Sequence, residues 1–199
     1  MKKEPSDKNY NMDKRGALAR ATEERIIAAA TALWMEKALS DISLESVAAK
    51  AGVTARTVYR KFESKEGLFG EAIRRGADEL ATQRRRCATG QIDDILDTLL
   101  EEYEAMGDAV VRTIKTTDEL DIAGALLGKG RELHRSWCDE VFGPWLGCAD
   151  EERQLRLDAF VSATEIYLWH LLRREYAYSP AHTRAVMRAL IEALTDKYS

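Results

Sequence analysis

Thr54, Arg56, Thr57, Tyr59, Arg60 and Lys61 fall within eight consecutive residues, and each carries a group able to meet a nucleic acid. A guanidinium can donate two parallel hydrogen bonds to guanine O6 and N7, which discriminates bases by about 1–3 kcal/mol. A threonine offers a methyl to thymine and a hydroxyl to base or phosphate. Tyr59, Arg60 and Lys61 suit the sugar–phosphate backbone, as does Lys65 just beyond them. Contacts of that kind position a protein without specifying sequence. Upstream, the Ser43 hydroxyl and its neighbouring backbone N–H groups suit a phosphate at a helix N-terminus. The expected DNA-contacting set is therefore Ser43, Thr54, Arg56, Thr57, Tyr59, Arg60, Lys61 and Lys65.

Such groups read bases only if a short helix presents them at a fixed angle. The stretch Ser43 to Phe62, SLESVAAKAGVTARTVYRKF, predicts two short helices around a Gly-marked turn. Ser43 caps the first, whose inward residues are Leu44, Val47, Ala48 and Ala51. Gly52 ends it where a left-handed backbone favours glycine. Thr54 caps the second, with Val58 and Phe62 inward. That is the layout of a helix-turn-helix, in which one helix braces and the other enters the major groove. A preceding helix is expected from Thr22, its cap, to Lys37, with Ile26, Ala30, Leu33 and Trp34 on one face. Ser64 caps a fourth helix that runs toward Arg84, Arg85 and Arg86.

Residues 1–21 are polar and expected to form a disordered arm, whose Lys14, Arg15 and Arg20 can reach a minor groove. Residues 22–68 form the predicted DNA-binding domain and residues 69–199 a second, helical domain. Within the latter, Cys87–Gln91 reads as a break. Ile92 to Met106 makes an amphipathic helix interrupted at Gly107-Asp108. A less regular stretch carries Gly124, Gly128 and Gly130, and an aromatic helix from Arg131 breaks at Gly143-Pro144. Long helices follow at Glu151–Tyr176 and from Ser179-Pro180 onward. The expectation is an all-α chain of about nine helices.

Composition fits this division. The 199 residues suit one or two domains. Residues 1–86 hold 18 Lys/Arg against 13 Asp/Glu, a net of +5, whereas residues 87–199 hold 12 against 21, a net of −9. A basic front and an acidic back suit a chain whose first part meets phosphate and whose second does not. No apolar stretch reaches membrane-spanning length and no signal-type segment opens the chain, so a cytoplasmic location is expected. Cys87, Cys138 and Cys148 lie far apart and read as structural thiols. His134, His170 and His182 show no metal-ligand spacing. Gly124-Ala-Leu-Leu-Gly128-Lys129-Gly130 fails as a phosphate loop, because only three residues separate the glycines and no Ser or Thr follows the lysine. Glu101 and Glu102 read as carboxylates of a solvated helix face. No catalytic, cofactor or metal site is expected.

Residues from about 22 to 70 resemble the N-terminal domain of the TetR (tetracycline-repressor-like) family. The family pattern stands here as Gly52-Val53-Thr54-Ala55-Arg56-Thr57-Val58-Tyr59-Arg60-Lys61-Phe62, followed by Ser64-Lys65-Glu66-Gly67-Leu68. The resemblance implies that Thr54, Arg56 and Thr57 face bases, while Tyr59 and Lys65 hold phosphates. Two positions depart from the pattern. Ala38-Leu39 replace the usual Gly–aromatic pair, and Ile42 stands where Ser or Thr is usual. The resemblance also implies a helical C-terminal domain that dimerises through its last two helices and often encloses a small-molecule pocket. Tyr103, Met106, Trp137, Phe142, Trp145, Tyr167 and His170 are the candidate lining of such a pocket.

The expectation is a homodimeric transcriptional repressor that binds a near-palindromic operator and is released by a small-molecule effector, with the fourth helix as the lever. Two other readings stand beside it: a small-molecule binding protein with a vestigial helix-turn-helix, and a transcriptional activator.

Overall fold

The computed structural model describes residues 7–116, 121–147 and 150–199. Among them every regular element is a helix, as the Ala-, Leu-, Glu- and Arg-rich composition favours. The chain divides into two compact units, Met1–Ala72 and Ile73–Ser199. The division falls four residues beyond the one expected from sequence, inside a continuous helix.

The first unit holds α1 (Asp7–Glu36), a short 3₁₀ turn (Leu39–Asp41), α2 (Leu44–Ala51), α3 (Ala55–Phe62) and the start of α4 (Lys65–Arg84). Its core is small, with Ile26, Ala30, Leu39, Val47, Val58 and Leu68 all fully buried. The helix expected to begin at Thr22 begins at Asp7 instead, and it covers much of the stretch read as a disordered arm. Thr22 caps nothing: its hydroxyl donates to the Leu18 carbonyl one turn back. The Ala17–Ala21 stretch of good helix formers, uninterrupted by Pro, carries the helix through. This also changes the expected use of Lys14 and Arg20, while the Arg15 side chain lies outside the described residues. A helix about 10 Å across does not enter a minor groove about 6 Å wide as an extended arm does.

The second unit holds the rest of α4, then α5 (Ile92–Ile114), α6 (Asp121–Val141), the single turn α7 (Gly143–Leu146), α8 (Asp150–Ala163), α9 (Ile166–His170), a π turn (Leu171–Glu175) and α10 (Pro180–Tyr198). With α8 and α9 taken as one interrupted helix, the described helices number nine. Ile95, Leu96, Leu99, Phe142, Phe160, Trp169, Met187 and Ile191 form the fully buried centre. Ser179 caps α10 by accepting from the His182 backbone N–H, with Pro180 at the first helical position, as its sequence predicts.

Three local expectations are corrected here. Gly107 does not interrupt α5, and Gly124, Gly128 and Gly130 do not loosen α6. A helix tolerates isolated glycines at about 1 kcal/mol each when packing repays them. At Gly107 the repayment is visible: a Cβ there would lie 2.4 Å from Trp169 Cζ3 and 2.6 Å from Cη2. The missing side chain lets the fully buried indole press against α5. Gly107→Ala is therefore expected to cost about 1–3 kcal/mol through overpacking, read as a lowered urea midpoint. Conversely, the helix expected to run unbroken from Glu151 to Tyr176 is broken at Thr164 and Glu165, deep in the unit.

A candidate nucleic-acid interface on α2 and α3

The turn between α2 and α3 is built as its sequence predicts. Ser43 accepts from the Ser46 backbone N–H at 3.1 Å, and Ser46 Oγ accepts from the Ser43 N–H at 3.2 Å, closing a reciprocal cap. Gly52 sits at φ +65°, and the Val53 N–H reaches back to the Ala48 carbonyl at 3.0 Å. This is the left-handed helix stop that glycine makes cheaply. Thr54 then opens α3, accepting from the Thr57 N–H at 3.2 Å, and the two hydroxyls share a 2.9 Å hydrogen bond. Such a cap contributes about 1 kcal/mol.

Only Val58 of α3 is buried. Beneath it α2 supplies the small residues Ala48 and Ala51. Thr54, Arg56, Tyr59 and Arg60 stand exposed, and Tyr59 leaves 48% of its surface free. A helix that buries one side chain in eight is not held for its core. Its braces are ionic as well as apolar: Lys61 pairs with Glu23 of α1 at 3.4 Å, and Lys50 of α2 pairs with Glu36 of α1 at 2.9 Å. Exposed and partly exposed pairs of this sort are screened by water and contribute little each.

The eight expected DNA-contacting residues therefore fall into two sets. Ser43, Thr54, Arg56, Thr57, Tyr59 and Arg60 lie at or near the surface. Lys61 and Lys65 turn inward. Lys61 takes Glu23, and the Lys65 ammonium donates to the Leu39 carbonyl. Burial draws the Lys65 pKa below the usual lysine range. Sequence spacing cannot show this, because a lysine at a helix start reads alike whether it faces phosphate or a neighbouring carbonyl. Lys65→Met is thus expected to lower the stability of the first unit by about 0.5–1.5 kcal/mol, because the Leu39 carbonyl loses one donor and keeps the Ile42 N–H. The salt slope of DNA binding should change little. Urea unfolding, with binding measured at several salt concentrations, separates the two effects.

The seven candidate ligand residues differ in burial and in packing partner. Tyr103 is buried and donates to the Thr164 carbonyl at 2.8 Å. Phe142 stacks on Phe160 with centroids 4.3 Å apart, and Trp145 packs at their edge. Trp137 lies beneath the Arg84 guanidinium. Met106 and His170 are half-buried, and Tyr167 is exposed. A groove of about 610 Å³ in this unit is lined by Asp78, Glu79, Thr82, Gln83, Arg86, Thr98 and Glu101, none of which is in that set. The aromatics bury their faces against one another, which is their strongest tendency in a core.

Sequence reasoning also missed a buried ion pair. Arg84 donates from Nε and Nη2 to the two oxygens of Glu102, at 2.9 and 2.8 Å. The pair is only 5% and 8% exposed. Glu102 had read as a solvated carboxylate, yet it lies three residues after Leu99 and beside Tyr103, within the buried stripe of α5. That register was the available signal. Nearby, the His134 Nε2 meets the Thr164 hydroxyl at 3.1 Å, and burial lowers the His134 pKa to about 3, leaving a neutral imidazole. Burial likewise pushes the Cys138 thiol up to about 12, as suits an inert structural cysteine. Cys148 lies outside the described residues.

The geometry thus defines a helix-turn-helix unit joined to a helical second unit. Residues 26–72 match the model of the bacterial regulatory proteins of the tetR family. Across most of its length the chain also shares its fold with solved regulators. A tetR-family transcriptional regulator from Streptomyces coelicolor superposes with a TM-score of 0.70 at 16% identity, over 90% of this chain and 84% of that one. A transcriptional regulator from Rhodococcus sp. Rha1 gives 0.69 at 18% identity, over 88% and 96%. NalD, the secondary repressor of the MexAB-OprM multidrug efflux pump in Pseudomonas aeruginosa, gives 0.59 at 22% identity, over 87% and 96%. No curated protein matches the sequence. Residues 26–72 thus carry the signature of the N-terminal domain of tetR-family regulatory proteins, and the chain shares its fold with solved TetR-family transcriptional regulators. Among the described residues, no helix is long and apolar enough to cross a membrane.

Proposed function

We propose that this protein is a homodimeric, sequence-specific repressor that a small-molecule effector releases from its operator. The carrying observation is α3 itself, a rigidly capped helix whose Arg56, Tyr59 and Arg60 face outward while Val58 alone is buried. Arg56, Thr54 and Thr57 serve as base readers; Tyr59, Arg60 and Ser43 serve as phosphate contacts. Two copies of α3 would enter major grooves about 34–36 Å apart, or a multiple of that.

The last helices support the dimer. α8 and α10 pack together, and each leaves a leucine in solvent, Leu155 at 64% and Leu190 at 42% exposure. Exposed leucines on paired helices suit an isologous four-helix seam. Repression rather than activation follows the precedent of NalD, a repressor of the same fold. An effector acts by binding two dimer geometries with different affinity. α4, one continuous helix from Lys65 to Arg84, is the segment through which that difference reaches α3.

The test is a titration of the purified chain against duplex DNA from upstream of its own gene, followed by fluorescence anisotropy. Sedimentation gives the mass of the bound species. Saturable binding by a dimer, weakening steeply with salt, is the expected result. Binding indistinguishable from that to scrambled duplex would reject the proposal.

A further inference from the structure

The second unit buries a full cation and leaves part of it unmatched. Arg84, the last residue of α4, gives two of its nitrogens to Glu102 and lies 4.8 Å above the Trp137 ring. Its Nη1 is buried without a hydrogen-bond partner, and so is the Trp137 Nε1. Both side chains are 5% exposed. Unmatched buried donors are rare in folded proteins, and a charged one is the most costly. The surroundings are polar for a core. The charge of Arg84 is felt at Tyr103, His134, Cys138 and Glu165, and the break between α8 and α9 falls at Thr164 and Glu165.

The two unmatched groups can only donate. Their complement is an acceptor, and the acceptor a guanidinium binds best is a carboxylate, which forms paired, charge-assisted hydrogen bonds. The neighbouring Trp137 ring suits an apolar or aromatic body. We propose that Arg84 is the effector-reading group of the second unit, and that the effector is a small molecule joining a carboxylate to an apolar or aromatic body. This rests on the ligand-responsive reading above and names its chemistry. A ligand carboxylate competes with Glu102 for the guanidinium that ends α4. Occupancy therefore acts on the helix whose first residue lies three positions after the end of α3.

The probes are benzoate, phenylacetate and octanoate, with benzyl alcohol and sodium chloride at matched ionic strength as controls. Thermal shift and tryptophan fluorescence of the free chain report binding; operator release is measured separately. At least one acid should bind the wild type saturably while benzyl alcohol does not. Arg84→Met/Glu102→Met, an apolar replacement of the buried pair, should weaken that acid at least tenfold. Glu102→Gln, which keeps the shape but removes the competing charge, should tighten it severalfold, and it decides the matter if the double variant does not fold. Failure of all three acids to bind the wild type would overturn the proposal. So would unchanged or weaker binding to Glu102→Gln, or wild-type affinity in the double variant; either result would show that the unmatched nitrogen simply rests on the indole face. Acid binding by a chain that ignores operator DNA would uphold this inference while rejecting the repressor.

Discussion

Gly67→Ala should cripple DNA binding although residue 67 carries no side chain to touch DNA. A Cβ at this position would fall 2.2 Å from the carbonyl oxygen of Phe62, the last residue of α3. The obstacle is backbone, so no rotamer relieves it. Nor has the connection slack to give. Glu63 already sits at φ +65° and ψ −40°, closed by a 2.7 Å hydrogen bond from the Ser64 N–H to the Phe62 carbonyl. That is a tight three-residue turn, in a backbone region costing about 1–3 kcal/mol for a residue with a side chain. The alanine must push α4 away from α3 or unwind the end of α3, and either tilts the reading helix. Operator affinity should fall by about a hundredfold or more, in line with the cost of displacing a positioned contact by about 1 Å. Gly70→Ala is the control. Its Cβ meets nothing within 4 Å in the same helix, so it should leave affinity unchanged and raise stability by about 0.5–1 kcal/mol. Anisotropy titrations and thermal melts of both variants check this. Wild-type affinity in Gly67→Ala would show that the α3–α4 turn does not set the reading angle.

The second large effect is expected at Glu102. Glu102→Ala leaves the Arg84 guanidinium buried with no counter-charge. Breaking one partner of a buried pair typically costs about 3–5 kcal/mol, whereas replacing both with apolar residues is often neutral. Urea unfolding followed by tryptophan fluorescence should show that large loss for Glu102→Ala, and near wild-type stability for Arg84→Met/Glu102→Met. The asymmetry matters more than either value. Equal losses in both variants would mean the site needs polarity for packing rather than for charge balance. The pair lies wholly in the second unit and touches none of the proposed DNA contacts.

The helix-turn-helix was legible from sequence because its signals are local. Ser43, Gly52 and Thr54 fix caps and a turn through their own backbone neighbours, and a span of about twenty residues contains the whole device. Val58 and Phe62 both read as inward residues of α3; Val58 is buried and Phe62 is only half-buried. The failures occurred where a distant partner decides the outcome. Lys65 and Lys61 looked like phosphate ligands until Leu39 and Glu23, 26 and 38 residues away, claimed them. Glu102 looked solvated until Arg84 arrived from another helix. Gly107 looked like a helix break until Trp169, 62 positions on, proved to need the space. The start of α1 was misplaced for the opposite reason. Its first half is polar, so sequence offers only helix propensity there and no apolar stripe to mark the start. The aromatic residues of the second unit read as candidate pocket lining, whereas which of them face one another depends on helix packing that no spacing records.

The most direct test of the central claim compares the wild type with Arg56→Ala on a selected operator and on duplexes carrying each single base-pair substitution in one half-site. If Arg56 reads a base from the major groove, the variant should lose affinity for the operator and lose discrimination at one base pair alone. The penalty there should shrink by about 1–3 kcal/mol while all other positions keep theirs. A uniform loss at every position would make Arg56 a phosphate contact, and an unchanged profile would place the reading surface elsewhere than on α3.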